Sequence, residues 1–177
     1  MLEANFAPGR LLRLRSRQSA AFRGICTLLL QQGAMDFSTG EGITDVKYFN
    51  DRIDSHHIFP QAWCRAQGID DRWANCIVNK TLLSAKTNKA IGSRSPSVYL
   101  AQLEQKGIER KRLNTILRSH LIEPKTLWAD DFEAFFRARS QALVNLIGQR
   151  MGKTVTSNPV SQQDALLVND LADEGAV

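Results

Sequence analysis

Asp54-Ser55-His56-His57-Ile58-Phe59-Pro60-Gln61 places two of the chain's three histidines side by side, ahead of two apolar residues and a proline. Neighbouring side chains of an extended segment point to opposite faces, so His56 and His57 cannot share one task. One is free to hold a metal while the other faces a substrate. Two stretches answer this one downstream: Asn79-Lys80-Thr81-Leu82-Leu83, and Lys86-Thr87-Asn88-Lys89. Asn79 opens a short β-prone run, and Asn88 follows nine residues later in a predicted helix. The pattern is strand, strand, helix, with the chemistry-bearing side chains at its joints.

The flanks read as a helical support. Residues 1–15 are expected to form an N-terminal arm, with Pro8-Gly9 breaking any early helix. Ala21, Ile25, Leu28 and Leu29 recur at helical spacing, predicting a helix over 19–32 that Gly33 stops. A Ser/Thr/Gly-rich loop follows over 36–42, then a short helix over 45–50. After Pro60, residues 61–67 suit a helical turn closed by Gly68. Asp70-Asp71 start another short helix, to about residue 76. Residues 77–83 read as a strand, and Ser84 caps a helix that ends at Gly92. Ser95-Pro96 opens a helix reaching about Gly107, and a second covers 109–119. A long third, over 130–151, carries a core stripe of Phe132, Phe135, Phe136, Leu143, Leu146 and Ile147. His120, isolated near a helix end, reads as a capping or surface residue.

These elements predict an α+β, mostly helical fold with a small ββα core embedded in one helical domain. Its parts are an arm and helix (1–35), the core (36–95), a helical C-terminal part (96–152), and a disordered acidic tail (153–177). The tail holds one Lys and four acids, a net of −3 against +5 for the whole chain, so residues 1–152 carry +8. That excess is compatible with a polyanionic partner. Arg10, Arg13, Arg15, Arg17 and Arg23 either meet phosphate or form a solvated basic face, the commoner outcome for such runs. Cys26, Cys64 and Cys76 are odd in number and lack a Cys-x-x-Cys pair, which speaks against a disulfide framework or a cysteine zinc cluster. A reduced, cytoplasmic setting is expected. Residues 1–7 lack a signal-peptide pattern, and Leu28-Leu29-Leu30 is too short an apolar run to span a membrane.

Cleaving a phosphodiester requires a nucleophilic water, a group to take its proton, and positive charge near the leaving oxygen. Histidine suits the second task because its pKa lies near neutrality. A divalent metal suits the third. Asp54 either adds a carboxylate or caps a turn. Lys80, Lys86, Lys89 and Arg94 lie beside the candidate site in sequence and are expected to grip phosphates on either side of the cut.

The joint pattern His56-His57-Ile58-Phe59-Pro60, Asn79 to Leu83, and Lys86 to Lys89 resembles the HNH (ββα-metal) endonucleases. The resemblance implies that His57 is the general base and that Asn79 holds the loop between the strands and orients it. It further implies that His56 and Asn88 are metal ligands. Where this chain has His56 the family often has Asp, which leaves the metal open: Mg²⁺ or Mn²⁺ suits an oxygen-rich site, whereas a nitrogen ligand also admits Ni²⁺ or Zn²⁺. With residues 88–92, 95–100 and 135–152 included, the chain looks like the C-terminal nuclease half of GmrSD-like, modification-dependent restriction proteins used against phage. That likeness implies DNA as substrate, and a partner domain of ParB-like, nucleotide-binding type that these residues do not include. Two alternatives stay open: a nucleic-acid-binding module that kept the fold and lost catalysis, and a module that docks the partner domain.

Overall fold

Asp54–His57 (β1) and Lys80–Leu83 (β2) pair antiparallel, with Asp54 opposite Leu83, Ser55 opposite Leu82, His56 opposite Thr81 and His57 opposite Lys80. The computed structural model describes residues 9–44 and 54–152. Around this two-stranded sheet the described chain is helical. Arg10–Arg13 (α1) and Ala20–Gln31 (α2) precede β1; Gln61–Ala66 (α3), Asp71–Ala74 (α4) and a 3₁₀ turn at Ile77–Asn79 separate the strands. Ala85–Ile91 (α5), Pro96–Gln105 (α6), Arg110–Ser119 (α7), Pro124–Trp128 (α8) and Phe132–Arg150 (α9) follow. The fold is α+β and mostly helical, with β1, β2 and α5 forming the expected strand–strand–helix order.

Local chemistry sets the helix boundaries. Ser19, Ser84 and Asp131 each accept a backbone N–H of the first turn, at Phe22, Thr87 and Ala134, meeting donors that a helix start leaves without partners. Gly92, at φ 60°, ends α5 in a conformation that costs glycine little. The aromatic stripe of α9 is core: Phe132 and Phe135 lie 5.2 and 5.0 Å from Phe59, and Phe136 stacks on Trp73 at 4.7 Å between ring centroids. One hydrophobic cluster runs from Leu11 to Ile147 and unites the arm, the ββα core and the C-terminal helices. Among the described residues no helix is long and apolar enough to cross a membrane.

Several expectations change. The arm contains α1, whose Leu11 and Leu12 are buried, and the Leu14 carbonyl accepts the Ile77 N–H at 2.8 Å. The apolar face of α2 is Phe22, Ile25, Cys26 and Leu29; Ala21 is exposed and Leu28 half-buried, so the helix is rotated from the predicted phase. Residues 77–83 split into a 3₁₀ turn and a strand, and α8 adds a short helix between the last two expected ones. The helix expected over 45–50 and the tail over 153–177 lie outside the described residues.

His120 is the largest correction. It ends α7, as its position suggested, but is fully buried. Its ring spans Thr81 Oγ1 and the Met35 carbonyl, both at 2.6 Å, tying β2 to the 34–43 loop. Burial pushes its pKa down to about 4, so it is neutral at pH 7. Asp36 anchors the same loop by accepting from Ser38 N, Ser84 N and Thr87 Oγ1, the last at 2.6 Å. Burial alone would raise its pKa, but these donors outweigh that and hold the carboxyl below its ordinary range.

Arg139, on the buried side of α9, is fully enclosed. Its Nε donates to the His120 carbonyl at 3.1 Å, and Nη1 donates to the carbonyls of Ile77, Val78 and Lys80. Burial lowers its pKa to about 9, which still leaves a cation at neutral pH.

Arg139→Met should therefore destabilise the fold by about 3 kcal/mol or more, since it strands several buried carbonyls; urea unfolding measures this. The pH dependence of stability has a definite sign. His120 binds a proton in the unfolded chain below about 6.5 but in the folded protein only near pH 4. Stability is full above the unfolded value and falls as pH drops toward 4, by on the order of 3 kcal/mol. Denaturation at pH 7.5 and 5 should display that slope, with a smaller contribution of the same sign from His57. His120→Gln, less stable throughout, should lose most of it.

Candidate functional site

The site is built on a side chain with no solvent exposure. Asn79 closes the 3₁₀ turn, and its Oδ1 accepts the Phe59 N–H at 2.9 Å. Its Nδ2 donates to the Phe59 carbonyl at 2.9 Å and to the Ala74 carbonyl at 2.7 Å, and its own carbonyl accepts the Ile58 N–H. One amide thus fixes the residues after β1, the end of α4 and the approach to β2. The Tyr99 hydroxyl, fully buried, adds a bond to the Ile58 carbonyl at 3.1 Å. This matters because His57 is the residue immediately before the pinned segment.

The His57 ring is half-buried, with Nε2 3.1 Å from Asn75 Oδ1. With that oxygen facing the ring, Nε2 carries the hydrogen and the lone pair sits on Nδ1. Burial pushes the His57 pKa down, the bond to Asn75 and the charge of Asp71 push it up, and Lys80 adds to the lowering. The net shift is downward, so the ring is predominantly a neutral base at pH 7. Sequence reasoning did not select Asn75, which lies in a short polar joint between two helical turns with no periodicity to mark it.

Strand alternation puts His57 and Lys80 on one face of the sheet with Ser55 and Leu82, and His56 with Thr81 on the other. The first face opens into a cavity of about 600 Å³. Phe22 and Leu82 supply its apolar wall, while Arg15, Arg17 and Arg23 bring charge from the α1–α2 connection and α2. All three arginines are exposed. The run that read as either a solvated face or a phosphate contact is thus brought, in part, opposite His57.

His56 is half-buried on the opposite face, and Asn88 is half-buried on α5. As donor chemistry alone, one imidazole nitrogen with one amide oxygen suits a cation that takes its remaining positions from water and substrate oxygens, as Mg²⁺ commonly does. It does not fit a closed four-ligand zinc site, and among the described residues no group of three or more His, Cys, Asp and Glu side chains is placed to hold a metal. Asp54 pairs with Leu83 through its backbone; its carboxylate lies outside the described side chains.

The expected phosphate grips fall into two kinds. Lys86 and Lys89 are exposed on α5. Lys80 is nearly buried, and its ammonium donates to the Arg15 carbonyl at 2.8 Å, 5.9 Å from the Phe22 ring centre. Burial lowers its pKa, and the bond to Arg15 joins β2 to the arginine-bearing segment. Arg94 donates to the carbonyls of Ala90 and Ile91, satisfying the last turn of α5. Cys26, Cys64 and Cys76 are buried, with thiols pushed up to about 11 by burial, so they are unreactive core groups.

No family model matches the sequence, and no solved structure matches it. The chain is similar to an uncharacterized protein of Methanocaldococcus jannaschii, 28% identical over 129 residues, which cover 68% of this chain and 21% of the archaeal protein. The chain therefore matches about a fifth of that relative's length.

Proposed function

We propose that this chain is a metal-dependent endonuclease domain of HNH type that hydrolyses DNA phosphodiester bonds. The observation that carries the reading is His57: a neutral, oriented imidazole beside a segment locked by Asn79, facing a cavity that also receives three arginines. A general base must be unprotonated, fixed in direction and close to where the substrate lies. His57 combines the first two with a cationic surface suited to a phosphate backbone.

In this reading His57 takes the proton of the attacking water through the nitrogen not held by Asn75. Asn75 fixes the tautomer, and Asn79 fixes the backbone that carries the ring. A divalent cation held by His56 and Asn88, Mg²⁺ in the first instance, would supply Lewis-acid stabilisation of the leaving oxygen. Lys86, Lys89 and Arg94 lie on or beside α5, where they can meet flanking phosphates. The proposal extends to a cytoplasmic role as the nuclease half of an anti-phage restriction system, with a ParB-like nucleotide-binding domain supplying recognition. That part rests on the sequence resemblance alone.

The competing reading is a binding module without catalysis, and it predicts DNA binding that no metal converts to cutting. Incubation with supercoiled plasmid and Mg²⁺, Mn²⁺, Ni²⁺ or chelator separates the two. His57→Ala should reduce nicking by roughly 10²–10⁴-fold without changing the melting temperature by more than a few degrees. Nicking at the parental rate would remove His57 from the role of base. His56→Ala and Asn88→Ala should instead weaken metal binding, so that higher metal concentrations partly restore cutting, and calorimetric titration of Mn²⁺ should show reduced affinity. Affinities equal to the parent's would exclude both as ligands.

A further inference from the structure

We infer that the cavity between β1–β2 and α2 is the binding cleft for a single DNA strand, held by Arg15, Arg17 and Arg23. This rests on the nuclease reading and adds the form of the substrate and the side chains that grip it.

Two independent stretches build the cleft. The hairpin contributes Ser55 and His57, and the α1–α2 connection with the start of α2 contributes the arginines. The Lys80 ammonium, bound to the Arg15 carbonyl at 2.8 Å, holds the two sides together. This leaves the arginine side chains on a fixed backbone rather than on a loose arm. The three arginines are exposed residues and line the same concavity as His57, with Arg15 Nε also donating to the Leu12 carbonyl at 3.5 Å. A planar, multi-donor guanidinium is well matched to phosphate oxygens. Ser55, on the strand face of His57, lines the cavity, and its buried hydroxyl has no hydrogen-bond partner within the protein.

The shape selects the form of the nucleic acid. In a duplex the phosphates lie on a convex rod, with the second strand close behind. Bringing one of them to a half-buried imidazole inside a concavity would drive the rod against α2 and the turn before it. An unpaired strand bends readily, and enzymes that must reach a sequestered nucleotide take it out of the duplex or act on single strands. A cavity of about 600 Å³ is within the ordinary range for small-ligand sites, so it takes a short piece of one strand rather than a face of a double helix. Positive grooves that follow one backbone are the usual means of gripping single strands.

The test is binding in chelator, so that no cleavage intervenes. Fluorescence anisotropy would compare a labelled 15-nucleotide oligo(dT) with a 15-base-pair duplex across a salt series, using the full chain. The parent should bind the single strand at least fivefold more tightly. Arg17→Ala/Arg23→Ala should weaken that binding at least fivefold and lower the salt slope by about 1.4, as expected for two lost contacts on a single strand. A charge-matched control away from the cavity, Lys106→Ala/Arg150→Ala, should lose less than the cavity variant. A smaller preference for the single strand, a smaller loss in the cavity variant, or an equal loss in the control would overturn the inference. Its failure is separable from that of the nuclease reading. Plasmid nicking that persists in the cavity variant at the parental rate discards the cleft alone. Cavity-dependent binding with no cutting in any metal discards catalysis alone.

Discussion

A buried guanidinium held through Nε and Nη1 by backbone oxygens is the constraint on which the rest of this structure depends. Arg139 sits among the aromatic residues of α9, where a charge is costly unless its hydrogen-bonding capacity is met. It donates to the carbonyls of Ile77, Val78, Lys80 and His120. Three of those belong to the turn that ends in Asn79 and to the first residue of β2. The longest helix therefore specifies the path of the chain into the candidate site, and α7 is joined to it through His120.

The consequences pass outward from that turn. Because its backbone is held from behind, the Asn79 amide can hold Phe59 and Ala74 in front. Phe59 in turn packs its ring against Phe132 and Phe135 of α9. Polar and apolar contacts thus converge on the same three-residue stretch, Ile58 to Pro60, and the backbone of His57 inherits that rigidity. The cost is a group of buried polar side chains, Asp36, Asn79, His120 and Arg139, each tied to several partners. Such networks stabilise a fold when satisfied and destabilise it when one member is lost.

The hairpin also separates two kinds of chemistry. Alternation along four residues sends His57 toward the arginine-lined cavity and His56 toward the face it shares with Thr81. Helix α2 covers the first face with Phe22 and Cys26 at the cavity wall, while the His120 ring covers Thr81 on the second. Lys80 illustrates how sequence neighbours are reassigned by burial. Next to Asn79 it reads as a phosphate grip, yet its ammonium, largely withdrawn from water, is taken by a carbonyl 65 residues earlier.

By itself the sequence determined the mostly helical α+β class, the strand–strand–helix order around the histidine pair, and the aromatic core of the last helix. These follow from local patterns: a short β-prone run, period-3.6 apolar spacing, and capping residues at helix starts. It also singled out His57 and Asn79, because an adjacent histidine pair and an asparagine before a β-prone run are visible as residue types at a spacing. Asn75, Arg139, Asp36 and the interior position of His120 were decided only by tertiary structure. Each acts through backbone atoms or side chains distant in sequence, and a hydrogen bond to a carbonyl leaves no signature in the identity of the residue that carries it. The three arginines were legible as charge but not as a site, since only the packing of α2 across the hairpin brings them to the cavity that His57 lines.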